Sequence, residues 1–563
     1  MWHGGVRYLS VRMTDDGGLL RPFDLLASGA NLVGDSLQAA TVLGRARLVR
    51  PLRPDRPPRA LAAVQRWGFT PAGGYAAAAV LYPDAEGLID ERGALTFKQL
   101  DDRGNRLANA LADAGILEGD GVGVMCRNHR GFVDALLALS KLGADAILLN
   151  TAFAGPQLTE VVKREKPRAI VYDAEFADLL SDALYRRKGF VAWPDEDEEA
   201  GDTLLEDLIE SGDPSSPVPP SREGRQTILT SGTTGTPKGA SRGSPGIGAA
   251  VAILSAIPLR GREKVLVAPP LFHQWGFAHF GLAMLTASTM VLRRRFDPEG
   301  VLAAIEREQV DSVPMVPVML SRILDLDDET RRGYDTGSLR TVPVSGSALS
   351  GDLAKRFMDE FGEVVYNLYG STEVAWVAIA GPKDLLEAPG TAGRPPRGTE
   401  VKILGDDDRE VRTGETGRIF VKNSMLFEGY TGGGGKDMVD GMMATGDVGH
   451  VDDSGRLFVE GRDDDMIVSG GENVFPQEVE ETLAAHPKVV EAAVVGVDDE
   501  KWGQALKAFV VKRGSVDEKA LKKHVKDNLA GYKVPQQVVI VDELPRNAAG
   551  KVLKRELEER SED

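Results

Sequence analysis

From about residue 83 onward, apolar positions fall alternately at helical and at strand spacing. Leu100, Leu107, Leu111 and Ala114 share one face of a helix that Thr96-Phe97-Lys98-Gln99 opens as a capping box. Gly115 stands where a helix-ending glycine belongs. Short runs of branched apolar residues predict strands at 122–125, 146–149, 169–172, 265–267, 290–292 and 313–316, with a helix over 132–142. Such alternation predicts an α/β chain, with a large N-terminal domain of parallel-rich sheets covered by helices. Near Arg462 the pattern shifts. Strands at 494–495, 509–511 and 538–540, with helices over 477–485 and 517–529, predict a small α+β C-terminal domain. The expected division is therefore 1–78, 79–462 and 463–563.

Two stretches break the alternation. Arg45, Arg47, Arg50, Arg53, Arg56, Arg59 and Arg66 face a single acid, Asp55, and Pro51, Pro54, Pro57 and Pro58 interrupt them. This basic extension, 1–78, is expected to pack on the main body through surface ion pairs, because its prolines oppose a long amphipathic helix. Contact with anionic lipid headgroups is the alternative. Residues 194–221 begin acidic and turn Pro/Ser-rich, and Asp195, Glu196, Asp197, Glu198 and Glu199 predict a solvated loop rather than a cation site. No short-period internal repeat is present.

Composition narrows the function classes. The 563 residues are 42% hydrophobic and 27% charged, enough for several cores. The net charge of −18 disfavours nonspecific nucleic-acid binding. One cysteine, Cys126, excludes an internal disulfide and a Cys-rich zinc site. Apolar stretches such as 280–292 are too short to span a bilayer. The Met1-Trp2-His3-Gly4-Gly5 start lacks a charged-then-apolar signal pattern, so a cytoplasmic location is expected.

The densest chemistry lies in Thr230-Ser231-Gly232-Thr233-Thr234-Gly235-Thr236-Pro237-Lys238-Gly239, which follows strand-like Thr227-Ile228-Leu229. Glycines let backbone N–H groups approach phosphate oxygens, hydroxyls add donors and Lys238 adds a positive charge. It is not a Walker A loop, because Lys238 is followed by Gly239 rather than Ser or Thr. Nor is there a dinucleotide fingerprint: Gly119 and Gly121 are spaced for one, but Val124 holds the third glycine position.

This decapeptide resembles the phosphate-loop signature of the adenylate-forming superfamily, which includes acyl-CoA synthetases, aryl-CoA ligases, luciferases and peptide-synthetase adenylation domains. Six further segments follow in the family's order. They are Pro270-Leu271-Phe272-His273, Val344-Ser345-Gly346-Ser347-Ala348-Leu349, Tyr369-Gly370-Ser371-Thr372-Glu373, Thr445-Gly446-Asp447, the stretch from Gly461-Arg462-Asp463-Asp464 through Gly470-Gly471 to Glu480, and Pro545-Arg546-Asn547-Ala548-Ala549-Gly550-Lys551-Val552. The resemblance covers roughly residues 80–560 and is nearest to bacterial fatty acyl-CoA synthetases.

The resemblance implies the chemistry. A carboxylate becomes an acyl donor once AMP is transferred to it, releasing pyrophosphate, and a thiol then displaces AMP. ATP, Mg²⁺ and coenzyme A are the implied co-substrates and cofactor, and a fatty acid the implied acid. By position, Thr230, Ser231, Gly232, Thr233, Thr234, Gly235 and Lys238 would hold the phosphates. Gly346, Ser347 and Ala348 would flank the adenine, with Asn367, Tyr369 and Gly370 beside it. Thr372 would contact the α-phosphate. Glu373, helped by Thr230, would bind Mg²⁺. Asp447 and Arg462 would hold the ribose, and Lys551 would reach the carboxylate and α-phosphate. Asp464 would be the hinge on which a mobile small domain turns between half-reactions, and Gly470 and Gly471 would border the coenzyme A tunnel.

His273 is expected beside the acyl pocket, with Trp275, Phe277 and Trp376 as wall candidates. His279 lies six residues from His273, which is not a helical metal spacing, so the pair is assigned no metal. An aryl-CoA or other small-acid ligase is the alternative within the class, and an enzyme loading a carrier protein is another. From a different class, a non-catalytic nucleotide-binding protein would be expected to have lost Lys551, Glu373, Asp447 or the phosphate loop.

Overall fold

The computed structural model describes residues 41–48, 53–153, 155–194, 202–230, 238–241, 247–427, 429–430, 435–463, 467–469, 472–499, 503–529, 531–547 and 550–559. Residues 231–237, Asp464, Gly470 and Gly471, which carry much of the expected phosphate loop, hinge and thiol tunnel, lie outside them, as does 195–199.

Strands β1 (Gly121–Met125), β2 (Asp145–Leu148), β3 (Ala169–Asp173), β4 (Lys188–Trp193) and β5 (Gln226–Thr230) form the centre of an eight-stranded sheet. Across it the order is Gly429–Tyr430, Lys238–Ser241, β5, β2, β1, β3, β4, Thr203–Leu204. Every pairing from β5 to Thr203–Leu204 is parallel. Helices cover both faces, which is why these strands are apolar almost throughout. The capping box at Thr96 opens the helix Phe97–Asp113, with Thr96 and Gln99 bonded reciprocally, and Gly115 follows its end at φ +87°.

A second sheet runs Lys264–Leu266, Thr289–Val291, Glu86–Asp90, Gly93–Thr96. A third holds Val342–Val344, β6 (Val365–Tyr369) and Ala378–Ala380. In a fourth, Glu400–Leu404, Gly417–Lys422, β7 (Met442–Val451) and Met438–Val439 lie side by side, and β8 (Leu457–Arg462) pairs with β7. The C-terminal part centres on β9 (Val489–Asp499), β10 (Gly503–Lys512) and β11 (Gln537–Val541), with helices Pro476–Ala484 and Glu518–Asn528 packed on them.

Three expectations need correction. The strand expected at 313–316 is replaced by three isolated bridges, Val265 to Ser312, Ser312 to Thr341 and Met315 to Val344. Pro314 cannot donate to a ladder, and Pro317 starts the next helix. The stretch 194–221, with no helix or strand expected, holds a strand, Thr203–Leu204, and a helix, Leu205–Ser211, anchored by buried Leu205 and Ile209. In the basic extension, Pro57 and Pro58 sit in the first turn of helix α1 (Arg56–Trp67) and start it instead of breaking it. Its arginines reach the body through carbonyls: Arg56 donates to Leu81 O at 2.7 Å and Arg66 to Pro217 O at 2.8 Å. Trp67 is buried, with Lys141 Nζ 4.9 Å from its ring centre. Helix α2 (Pro71–Leu81) follows and runs across the expected boundary at 78/79. No described helix is long and apolar enough to cross a membrane.

Candidate active site

One cleft of about 2570 Å³ gathers those of the expected site residues that are described, from five segments of chain. Its lining includes His273, Gly346, Asn367, Glu373, Asp447 and Lys551.

Parallel pairing builds the first wall. Val344 is the register partner of Asn367, so the loop after Val344 and the end of β6 emerge side by side. Ligands in open α/β sheets sit at such carboxyl ends. Gly346 has φ +100°, and a Cβ there would stand 3.2 Å from Val316 Cγ1. The turn therefore needs a glycine, and its backbone lines the cleft. Asn367 is buried on the same wall of the cleft.

Beyond Tyr369 the chain folds back tightly: a Cβ on Gly370 would lie 2.1 Å from Ala375 O. Ser371 Oγ donates to Glu373 Oε2 at 2.9 Å and accepts from the Glu373 N–H at 3.2 Å, which fixes the carboxylate on the cleft wall beside Thr372. These are hard oxygen donors, the set that suits Mg²⁺. Thr230 closes β5, and its side chain, like that of Lys238, lies outside the described residues.

Register also sets the second wall. Asp447 on β7 is the direct partner of Arg462 on β8. Thr445 Oγ1 donates to Ile419 O and accepts from the Asp447 N–H, both close to 3 Å (3.1 and 3.0 Å). Gly446 turns the chain at φ +86°. Asp447 is thereby aimed into the cleft, with its Oδ1 3.7 Å from Arg462 Nε. Burial pushes its carboxyl upward in pKa, against the Tyr369 hydroxyl, Arg462, Lys551 and Lys436.

Lys551 enters from the C-terminal part. Its N–H donates to Asn547 Oδ1 at 3.0 Å, and Asn547 N–H donates back to Lys551 O at 2.9 Å. Gly550, at φ +79°, rests on Val318, where a Cβ would come within 2.8 Å of Val318 Cγ1. The close approach seats Lys551 in the cleft, and Arg513 Nη2 to Asp325 Oδ1, at 2.5 Å, adds an ion pair across the same two parts of the chain.

The third wall is helix α3 (Gln274–Leu285). His273 precedes it, and its buried Nε2 has no hydrogen-bond partner among the described residues. Burial lowers its pKa to about 4, so the ring is neutral at physiological pH. Trp275 Nε1 donates to Met315 O at 3.0 Å, and the His279 ring meets Trp275 edge-on at 4.3 Å. Trp275, Phe277 and Trp376 all line the cleft, and Trp376 Nε1 donates to Thr399 Oγ1 at 2.9 Å. The wall is thus aromatic and held rigidly.

Sequence reasoning missed Lys436, whose Nζ donates to Thr445 O at 3.4 Å and lies beside Gly446. A lysine after a run of glycines has no local signature; only the strand pairing brings it to Asp447. A buried cluster outside the expected site, Cys126, His129 and Asp173, is structural. His129 Nε2 bonds Asp173 at 2.7 Å and Nδ1 accepts from the Gly131 N–H at 3.1 Å, so both ring nitrogens are engaged.

The model of the AMP-binding enzyme family matches residues 75–431, and the model of the AMP-binding enzyme C-terminal domain matches 478–551. The chain belongs to the AMP-binding enzyme family. It is 35% identical over 475 residues to a feruloyl-CoA synthase of Amycolatopsis, spanning 83% of this chain and 94% of that one. It is 33% identical over 489 residues to a 2-succinylbenzoate–CoA ligase of Bacillus licheniformis, spanning 85% and 98%. Among solved structures it resembles o-succinylbenzoate CoA synthetase from Bacillus subtilis in complex with its acyl-adenylate intermediate. The TM-score is 0.74 at 28% identity, over 86% of this chain and 97% of that one. The chain is an AMP-forming acyl- or aryl-CoA ligase that uses ATP, Mg²⁺ and coenzyme A.

Proposed function

We propose that this AMP-binding enzyme is an aryl-CoA ligase: it joins an aromatic carboxylic acid to ATP as an acyl-adenylate, releases pyrophosphate, and passes the aromatic acyl group to the thiol of coenzyme A, with AMP as the leaving group. The observation that carries the choice of acid is the rigid aromatic wall of Trp275, Phe277 and neutral His273 in the same cleft as Asp447 and Lys551. A flat ring gains offset stacking against such a wall, beyond the area it buries. The relatives named for feruloyl- and succinylbenzoate substrates support the aromatic acid over the fatty acid expected from the motifs.

In this reading the 230–238 loop, with Thr230, Ser231, Thr233, Thr234 and Lys238, holds the phosphates. The loop at Gly346, Ser347 and Ala348, with Asn367, holds the adenine, and Asp447 and Arg462 hold the ribose. Lys551 and Thr372 stand at the α-phosphate, where charge develops as the carboxylate oxygen attacks; prealigned donors there lower the barrier. Glu373, with Thr230, holds Mg²⁺, which when bound neutralises phosphate charge. The 463–563 part turns about Asp464 after adenylation, withdrawing Lys551 so that the thiol can enter beside Gly470 and Gly471 and expel AMP.

The test is pyrophosphate release from the purified chain with ATP, Mg²⁺ and a ladder of aromatic and fatty acids, with and without coenzyme A. Release dependent on aromatic acids, with thioester formed on adding coenzyme A, is the expected outcome. Faster turnover of fatty acids restores the fatty-acid reading. Release without thioester points to a carrier-protein acceptor.

A further inference from the structure

Helix α3 is apolar on nearly every side. Gly276, His279, Phe280 and Ala283 form one stripe, buried against the core. Phe277, Ala278, Gly281, Leu282 and Leu285 form the opposite stripe at the same helical spacing, and they line the cleft with their surfaces still partly open. A helix apolar all round belongs in an interior; Phe277 and Leu282 pack in part on neighbouring apolar clusters, while among the described residues Ala278, Gly281 and Leu285 stay partly open to the cleft.

Across from it, α2 turns Gly74, Ala77, Ala78 and Leu81 toward the same cavity. Gly74 allows α2 to come close: a Cβ there would stand 2.4 Å from Met284 Cγ. Gly281 is a different case, because a Cβ at that position would meet nothing within 4 Å. Its missing side chain is not needed for packing or for the backbone, and glycine within a helix costs about 1 kcal/mol relative to alanine. What the glycine provides is open space midway along the groove. At the head of α3, His273 lines the same cleft, and its buried Nε2 has no partner among the described residues. From Gln274 to Leu285 the helix spans about 16 Å, well beyond the reach of a single ring.

We propose that Gly281 sets the length of the acid this enzyme accepts, and that its substrate is an aromatic acid carrying an apolar tail that runs past the ring along α3 toward Leu285. The inference rests on the aryl-CoA ligase reading and deepens it. The carboxylate lies at the Lys551 end, the ring at Trp275 and Phe277, and the tail covers Ala278, Gly281 and Leu282. The tail is held by burial of apolar surface alone, so selectivity follows its length and bulk.

The experiment compares benzoate with 4-octylbenzoate in the pyrophosphate-release assay, for the wild-type chain and for Gly281→Leu and Gly281→Trp. Leucine favours the helix over glycine and meets no neighbour at its Cβ, so Gly281→Leu folds. The readout is the ratio of kcat/KM for the two acids, which is insensitive to a loss of active protein. The wild-type enzyme is expected to prefer 4-octylbenzoate. The ratio is expected to fall by about tenfold or more in Gly281→Leu, mainly through KM, and further in Gly281→Trp. An unchanged ratio in both variants overturns the role of Gly281. Wild-type turnover of benzoate but not of 4-octylbenzoate overturns the tail channel and leaves the aryl-CoA ligase standing. Turnover of neither acid overturns the aryl-acid reading itself.

Discussion

The Tyr369 hydroxyl donates a 2.5 Å hydrogen bond to Asp447 Oδ2, tying the end of β6 to the middle of β7 across 78 residues of chain. Burial and the neighbouring carboxylate push the Tyr369 pKa far up, so the phenol stays a donor at any working pH. The bond fixes the rotamer of Asp447 and leaves Oδ1 turned to Arg462. Two motifs distant in sequence are thus tied together in the lining of the cleft.

Tyr369→Phe removes that bond and keeps the ring. A hydrogen bond to a charged group is worth about 1.5–3 kcal/mol, so KM for ATP in pyrophosphate exchange should rise about tenfold or more. Asp447→Ala should raise it further. An unaltered KM in Tyr369→Phe would mean that the bond has no part in holding ATP.

Lys551 reaches the cleft only because Gly550 rests on Val318. Lys551→Ala should slow adenylate formation by about a hundredfold or more, the scale of losing a prealigned charge at the reacting group. ATP affinity by calorimetry should change little. Thioester formation from supplied acyl-adenylate should survive if, as proposed, the C-terminal part withdraws Lys551 before that step. Parallel loss of both half-reactions would refute this division.

Two buried histidines couple folding to pH. Burial lowers both His273 and His279 to about 4, against about 6.5 when unfolded. Below 6.5 the unfolded chain takes up protons that the folded chain refuses. Their contribution is full above 6.5 and is lost as pH falls toward 4, by at most about 3 kcal/mol per histidine. Urea midpoints should therefore drop steeply between about pH 6.5 and 4.5, and less steeply in His273→Gln/His279→Gln. Equal slopes in the two proteins would exclude these groups as the cause.

Gly370 is needed for space, since a Cβ would stand 2.1 Å from Ala375 O. Gly370→Ala should force the turn before Glu373 to open, costing about 2 kcal/mol and lowering Tm by several degrees. Mg²⁺ dependence of pyrophosphate release should weaken with it. A variant with the parent Tm would show that the turn relaxes freely.

The sequence alone carried the local structure and the chemical vocabulary. Thr96 and Gln99 announce a capping box, and the box forms, because both partners lie within one turn of chain. The alternation of apolar runs announces parallel strands and covering helices for the same reason: period and side-chain type are short-range properties. Motif order also placed Gly346, Asn367, Glu373, Asp447 and Lys551 in one expected site, and all five line one cleft.

Other features were settled only by distant contacts. Whether Pro57 and Pro58 break a helix or begin one depends on where the helix docks, and Arg56 and Arg66 dock it on Leu81 and Pro217. Whether residues 205–211 form a helix depends on a core for Leu205 and Ile209. Lys436 becomes a neighbour of the site through strand pairing, and Asp447 faces Arg462 through register. The groove between α2 and α3 is the clearest case. Gly281 reads in sequence as one more small residue in an apolar run, and only the packing of two helices shows that a side chain there would enter the groove unopposed. Spacing along a chain encodes which residues share a face, while the distance between two faces belongs to the fold.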